Sequence, residues 1–185
     1  MKTWITSDLH FGHVNIMKFC PKTRMFNDVN HMNTEMTNQW NNLISPDDLV
    51  YILGDVSFMP AGDTRKLMLR LNGSKILIEG NHDKRALKDP HLRKCFKEIH
   101  PYLEIVYNKT YVCMFHYPIS EWNGCHRGSV HFHGHCHGNP SGIEQWRSMD
   151  VGYDATGGQI AVELDIAIKQ AMKNPARGHH QKEEL

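Results

Sequence analysis

Five short polar clusters, each following an apolar run of strand-like composition, constrain this chain more than any other feature. The clusters are Asp8-Leu9-His10, Gly54-Asp55, Gly80-Asn81-His82-Asp83, Phe115-His116 and Gly134-His135-Cys136-His137. The runs before them are Trp4-Ile5, residues 49–53, Ile76-Leu77-Ile78, residues 111–115 and Val130-His131-Phe132. Short apolar runs bounded by turn residues read as buried strands. In an α/β protein, the ends of such strands carry the chemistry, because the sheet holds them rigidly. One strand ending in a polar cluster is unremarkable; five in one short chain point to a single shared site.

The segments between the clusters supply the rest of an α/β fold. Residues 28–44 predict an amphipathic helix, with Val29, Met32, Met36, Trp40 and Leu43 on one face and Asn27 or Asp28 as cap. A second helix is expected near 63–71, with Leu67 and Leu71 inward and Asn72-Gly73 as its stop. A helical stretch over 84–98 is interrupted by Pro90. Residues 102–107 and 110–115 predict a hairpin turning at Asn108-Lys109, followed by strands at 129–133 and 148–152. A strand end at 159–163 and a helix over 165–173 close the pattern. Helices alternate with strands early and hairpin strands come late. The expectation is parallel pairing in the first half and mixed pairing in the second. Residues 1–173 are expected to form one domain, and the polar tail 174–185 to fray.

Composition excludes several classes. A net charge of +1 supplies no overall field for nucleic acid or membrane, and no stretch is long enough to span a bilayer. The five cysteines are odd in number and form no CxxC pair, so they read as reduced thiols in a cytoplasmic protein. Histidine is the outlier: nine of the 14 lie between His82 and His137.

The clusters offer metal-ligand chemistry. Asp8 with His10, and His135 with His137, are pairs two residues apart at strand ends, so each pair points one way. Asp55 adds a carboxylate able to bridge two cations, Asn81 a neutral oxygen and His116 a further nitrogen. Seven donors exceed what one tetrahedral ion with an open position needs. Two ions sharing Asp55 would use them all, and paired ions about 3.5–4 Å apart serve in-line attack on phosphorus. Asp, His and Asn donors with no cysteine required suit hard or borderline divalent ions; the expected pair is Mn²⁺, with Fe²⁺, Zn²⁺ and Ni²⁺ as alternatives.

In this order the clusters resemble the calcineurin-like metallophosphoesterase superfamily, whose pattern runs D-x-H, G-D, G-N-H-D/E, H and G-H-x-H. The resemblance covers roughly residues 1–153. It is nearest to small bacterial and phage-type phosphoesterases, through Ser7 to Ile16 and the ending Val151-Gly152-Tyr153-Asp154. It implies an α/β/β/α sandwich of two mixed sheets flanked by helices. It also implies that Asp8, His10 and His137 hold a first metal, that Asn81, His116 and His135 hold a second, and that Asp55 bridges them. A hydroxide between the ions would be the nucleophile, and His82 the acid or hydrogen-bond donor toward the leaving group. Asp83 is expected to be structural, as a helix cap. The protein Ser/Thr phosphatases of this superfamily continue G-D-x-V-D-R-G. Here Phe58 and Met59 stand in place of the acid and the arginine, which counts against that activity. Asp150 replaces the Asn usual in the N-V-G-x-D ending.

The expected activity is phosphodiester hydrolysis on a small phosphate ester or nucleotide, with nucleic acid as substrate only. Alternatives are a broad phosphomonoesterase and, behind it, a metal-bound scaffold without catalysis. His13, Asn15 and Arg127 are candidate substrate contacts, with His126, Trp122 and Asn123 beside Arg127 in the same loop. Arg24, Lys84 and Arg85 are further phosphate candidates, though each alone is more often a solvated charge. His133 is expected to be partly buried or to hydrogen-bond a ligand, and Cys136 to point away from the metals. The tail pair His179-His180 reads as incidental.

Overall fold

The computed structural model describes residues 1–178. The first sheet has the order β4-β3-β2-β1-β9. It is built from β1 (Thr3–Thr6), β2 (Leu49–Ile52), β3 (Ser74–Ile78), β4 (Glu98–His100) and β9 (Val162–Glu163). β1 to β4 pair parallel, and β9 joins β1 antiparallel. The second sheet, β5-β6-β7-β8, comprises Leu103–Tyr107, Thr110–Met114, Val130–His133 and Ser148–Asp150. Its β5–β6 hairpin is antiparallel and the other two pairings are parallel. Both sheets are therefore mixed, as expected.

Strand alternation distributes the core into layers. Trp4, Val50, Ile52 and Leu77 face Met32, Met36 and Trp40 of α2 (Val29–Leu43) and Leu67 and Met68 of α3 (Ala61–Arg70). The alternate residues Ile5, Tyr51, Leu53, Ile76 and Ile78 meet Val112, Met114, Val130 and Phe132 of the second sheet. The helix α6 (Leu164–Ala171) adds Leu164, Ala167, Ile168 and Ala171 at helical spacing. Parallel strands buried on both faces explain the unbroken apolar runs. On the far face of the second sheet, Cys113 packs with Trp122 and Cys125, the latter opening a 3-10 turn at Cys125–Arg127.

Several local expectations hold. Asp28 caps α2, its carboxylate accepting from the backbone N–H groups of Asn30 and His31 at 2.8 Å each. The hairpin turns on Asn108 and Lys109, both left-handed, which matches the twist of the flanking strands.

Others need correction. Leu43 lies in the last turn of α2 and is exposed rather than inward. The stretch 84–98 is two single-turn helices, α4 (Asp83–Ala86) and α5 (Pro90–Arg93), followed by the edge strand β4. Pro90 starts α5 instead of disturbing a longer helix, with Asp89 capping it. A short helix α1 (Ile16–Phe19) follows the first cluster. The tail is anchored at its start. The Asn174 side chain donates to the carbonyls of Glu144 and Trp146, and Arg177 pairs with Glu121 at 3.2 Å. His179 and His180 lie outside the described residues.

His131 is fully buried in β7, its ring tilted against Trp122 with centroids 5.3 Å apart. Burial, reinforced by neighbouring His133, pushes its imidazole down to about 3. The unfolded chain therefore takes up a proton below about pH 6.5 that the folded chain refuses. This stability is complete above that pH and is lost as pH falls toward 3. His131→Gln is expected to flatten that loss by roughly 4 kcal/mol between pH 7 and 3. Urea titrations across pH check it; parallel curves for the two proteins would contradict it.

Candidate metal centre

The loops after β1, β2, β3, β6 and β7 converge at one end of the two sheets. Backbone hydrogen bonds lock them together. Asp8 N–H donates to the Gly54 carbonyl (3.1 Å), His10 N–H to that of Asp55 (3.0 Å) and Gly134 N–H to that of His116 (3.0 Å). Gly54 has φ +89, and a side chain there would meet the Gly80 Cα at 2.6 Å and His116 Nδ1 at 2.7 Å. Glycine is thus what lets the second and third loops touch. Asp83 contributes differently from its expected role as a cap. Its carboxylate accepts from the N–H groups of Asp55 (2.8 Å), Val56 (3.0 Å) and Gly80 (2.9 Å), clamping the β2 loop to the β3 loop.

Five of the seven donor candidates, Asp8, His10, Asp55, His135 and His137, have left-handed backbone with φ between +50 and +69. Such conformations cost free energy in non-glycine residues and collect where a surrounding structure imposes them for use.

All seven donor candidates come together. Asp8, His10 and His137 place one donor atom each within 4.8 Å of one another, and so do Asp55, His116 and His135. Asp55 Oδ2 lies 3.5 Å from His10 Nε2 and 3.6 Å from His116 Nε2, so one oxygen stands between the two groups. Asn81 Oδ1 lies 2.9 Å from His116 Nε2. His10 and His137 hold their Nε2 atoms 3.7 and 3.9 Å from Asp8 Oδ1. The carboxylate–histidine spacings of 3.5–3.9 Å are too long for hydrogen bonds. They are within the roughly 4 Å that two bonds of about 2.0–2.2 Å to a common ion can span. Asp8 Oδ1 and His10 Nε2 are buried with no hydrogen-bond partner, an arrangement that is costly unless a cation satisfies them. The donor set and these two orphaned atoms fit a metal pair.

The outer nitrogens are engaged away from the centre. His116 Nδ1 meets the Leu53 carbonyl at 2.7 Å and His137 Nδ1 meets Asp154 Oδ2 at 2.7 Å, which leaves each Nε2 facing inward. Asp154 is in turn gripped by Arg24, whose guanidinium also donates to the carbonyls of Leu9 (2.9 Å) and Asp8 (2.7 Å). Burial works to raise the Asp154 carboxyl, yet hydrogen bonds from His137 and Arg24 hold it well below the usual carboxylate range. Arg24 is fully buried, so it orients the site and does not reach for a phosphate. Sequence reading missed this Arg24–Asp154–His137 chain; the only signal for it was the V-G-x-D ending.

Asp8, Asp55, His10 and His116 form a buried floor, while His82 and His135 are exposed at the rim. Burial would raise the Asp8 and Asp55 carboxyls, but the surrounding histidines hold both below their ordinary value. His82 donates its backbone N–H to Asp55 Oδ1 (3.0 Å), and its ring Nε2 lies 3.9 Å from Asp55 Oδ2. His13 stands beside it: its Nδ1 is 3.0 Å from His10 Nδ1 and its ring stacks on Phe58 at 3.9 Å. Burial and neighbouring His10 push the His13 imidazole down to about 4, so it is neutral at pH 7. Asn15 is exposed at the start of α1, where its side chain caps nothing. Arg127 is not brought to this cluster. It lines a separate groove with Tyr102, Trp122, Asn123, His126 and Arg177. Lys84 and Arg85 do reach the rim, lining a groove of about 690 Å³ with Phe58, Asn81 and His82.

Among the described residues, no helix is long and apolar enough to cross a membrane. Over 175 residues the chain is 36% identical to an uncharacterised protein, MJ1445, of Methanocaldococcus jannaschii, covering 91% of this chain and 90% of that protein. It is 28% identical over 182 residues to the Gene 66 protein of Mycobacterium phage D29, covering 82% and 87%. A protein of unknown function from Aquifex aeolicus, AQ665, has a crystal structure that superposes with a TM-score of 0.70 at 23% identity, over 91% of this chain and 98% of that one. The family model for calcineurin-like phosphoesterases matches residues 1–179, and the chain belongs to that family.

Proposed function

We propose that this protein is a dinuclear metal-dependent phosphodiesterase acting on nucleotide or nucleic-acid-type substrates. The observation that carries the reading is Asp55 Oδ2, which lies 3.5 Å from one histidine nitrogen and 3.6 Å from another on the opposite group. On this reading Asp8, His10 and His137 hold one ion, Asn81, His116 and His135 the other, and Asp55 both. Two divalent cations, Mn²⁺ first, would supply Lewis acidity to the phosphoryl oxygens and make a water nucleophilic near neutral pH.

The remaining work falls to the chain. His82 stands at the rim, positioned by its own backbone bond to Asp55, and can donate a proton or hydrogen bond toward the departing oxygen. The groove beside it has room for a leaving group larger than a simple alcohol. Lys84 and Arg85 add two cations there, and Phe58 a partly exposed ring. A leaving group with a base and a further phosphate fits that lining better than a neutral alcohol. Phe58 packs 4.5 Å from His82, in the place where the protein phosphatases put an acid. His82 therefore lacks the carboxylate partner of those enzymes, which supports a small-molecule or nucleic-acid substrate over a phosphoprotein.

Metal removal tests the reading. Chelator-stripped protein is expected to lose turnover of bis-p-nitrophenyl phosphate, and Mn²⁺ to restore it better than Mg²⁺, which prefers oxygen donors. Full turnover after stripping, or recovery by Mg²⁺ alone, would contradict it.

A further inference from the structure

Three residues outside the dinuclear centre converge without a role in it. His133 ends β7, Asp150 ends β8, and the two are register partners across those strands. Cys136 lies on the loop between His135 and His137. One donor atom from each of His133, Cys136 and Asp150 falls within 4.8 Å of the others.

Each is prepared to face a cation. His133 is buried, and its Nδ1 lies 3.0 Å from the Gly134 carbonyl; that contact places the proton on Nδ1 and leaves a lone pair on Nε2. The Asp150 carboxylate accepts from the N–H groups of Gly152 (2.8 Å) and Gly138 (3.3 Å), which fix its orientation and leave lone pairs over. Among the described residues, the Cys136 thiol has no hydrogen-bond partner, and His133 and Asp150 form no direct ion pair despite their register. A pocket of about 360 Å³, lined by His133, Ser141, Glu144 and Asp150, opens beside them and admits water.

We propose that His133, Cys136 and Asp150 bind a third divalent ion of the zinc type. Sulfur, imidazole and carboxylate together are a zinc-like donor set, and three protein ligands leave one position for water from the pocket. The Asp at 150, otherwise an unexplained departure from the family's ending, supplies the charged ligand. The ion would tie β7 and β8 to the loop that carries His135 and His137. A second grouping, Cys20 with His137 and Asp154, is closed by the 2.7 Å His137–Asp154 hydrogen bond and by Arg24, so it is not a competing site.

Cobalt reads this site apart from the dinuclear centre, which contains no thiolate. Chelator-stripped full-length protein, titrated with Co²⁺, is expected to develop a near-ultraviolet thiolate-to-cobalt absorption. Cys136→Ser should abolish that band and bind one equivalent less Zn²⁺, with an unchanged far-ultraviolet dichroism spectrum. Cys20→Ser should keep the band, and Asp150→Asn should weaken Co²⁺ binding at the band by at least ~10-fold. A wild-type protein without the band, a band surviving Cys136→Ser, or wild-type affinity in Asp150→Asn would each overturn the proposal.

Discussion

Replacing Asp55 by Asn is expected to leave the protein folded but nearly free of metal at the dinuclear centre. The carboxylate oxygen stands between the two histidine groups; as the bridge it would give each ion a ligand, and its loss would remove the one shared negative charge, leaving Asp8 as the only carboxylate of the seven donors. Loss of an outer partner alone costs metal sites about 10–100-fold in affinity. Loss of a shared inner ligand should exceed that, and turnover should fall with it. The amide can still accept the His82 N–H bond that Asp55 Oδ1 accepts, so the local backbone has no reason to rearrange. Elemental analysis of the purified variant after dialysis checks the claim. Wild-type metal content in Asp55→Asn would show that Asp55 is not the bridge.

His82→Ala should behave in the opposite way: metal content unchanged, turnover down by about 10²–10⁴-fold, the range of a lost general acid. That is roughly 3–5 kcal/mol of transition-state stabilisation. The expectation follows from position, since the ring is at the rim, is not in either donor group, and reaches no closer than 3.9 Å to Asp55. The loss should be larger for a substrate with a poor leaving group, such as a dinucleotide, than for an activated nitrophenyl ester, which departs without a proton. Equal losses on both would place His82 on the phosphoryl oxygens instead, and no loss on either would remove it from the reaction.

The site residues legible in the sequence share one physical cause. Asp8, Asp55, Asn81, His116 and His135 each follow a strand buried on both faces, and such strands announce themselves as unbroken apolar runs. Parallel pairing of β1, β2 and β3 then brings their ends to one edge. What escaped reading depends on contacts between distant segments. Arg24 and Asp154 are 130 residues apart, and neither has a local pattern that marks it as an ion pair. Asp83 looked like a cap because it starts a helix; its three bonds run instead to loops brought close by the fold. β4 is a short, partly exposed edge strand with no apolar run of its own, so the helical pattern before it seemed to continue. The left-handed backbone at Asp8, His10, Asp55, His135 and His137 has no side-chain signature, because it is imposed by the loops packing against each other.

The most direct measurement is steady-state hydrolysis of bis-p-nitrophenyl phosphate and p-nitrophenyl phosphate by Mn²⁺-loaded protein, with His82→Ala as control. The expected result is a higher kcat/KM on the diester, together with metal-dependent turnover. Turnover confined to the monoester would make the protein a phosphatase and contradict the diester claim. Silence on both substrates, with two ions bound, would contradict catalysis by this centre on simple aryl phosphates.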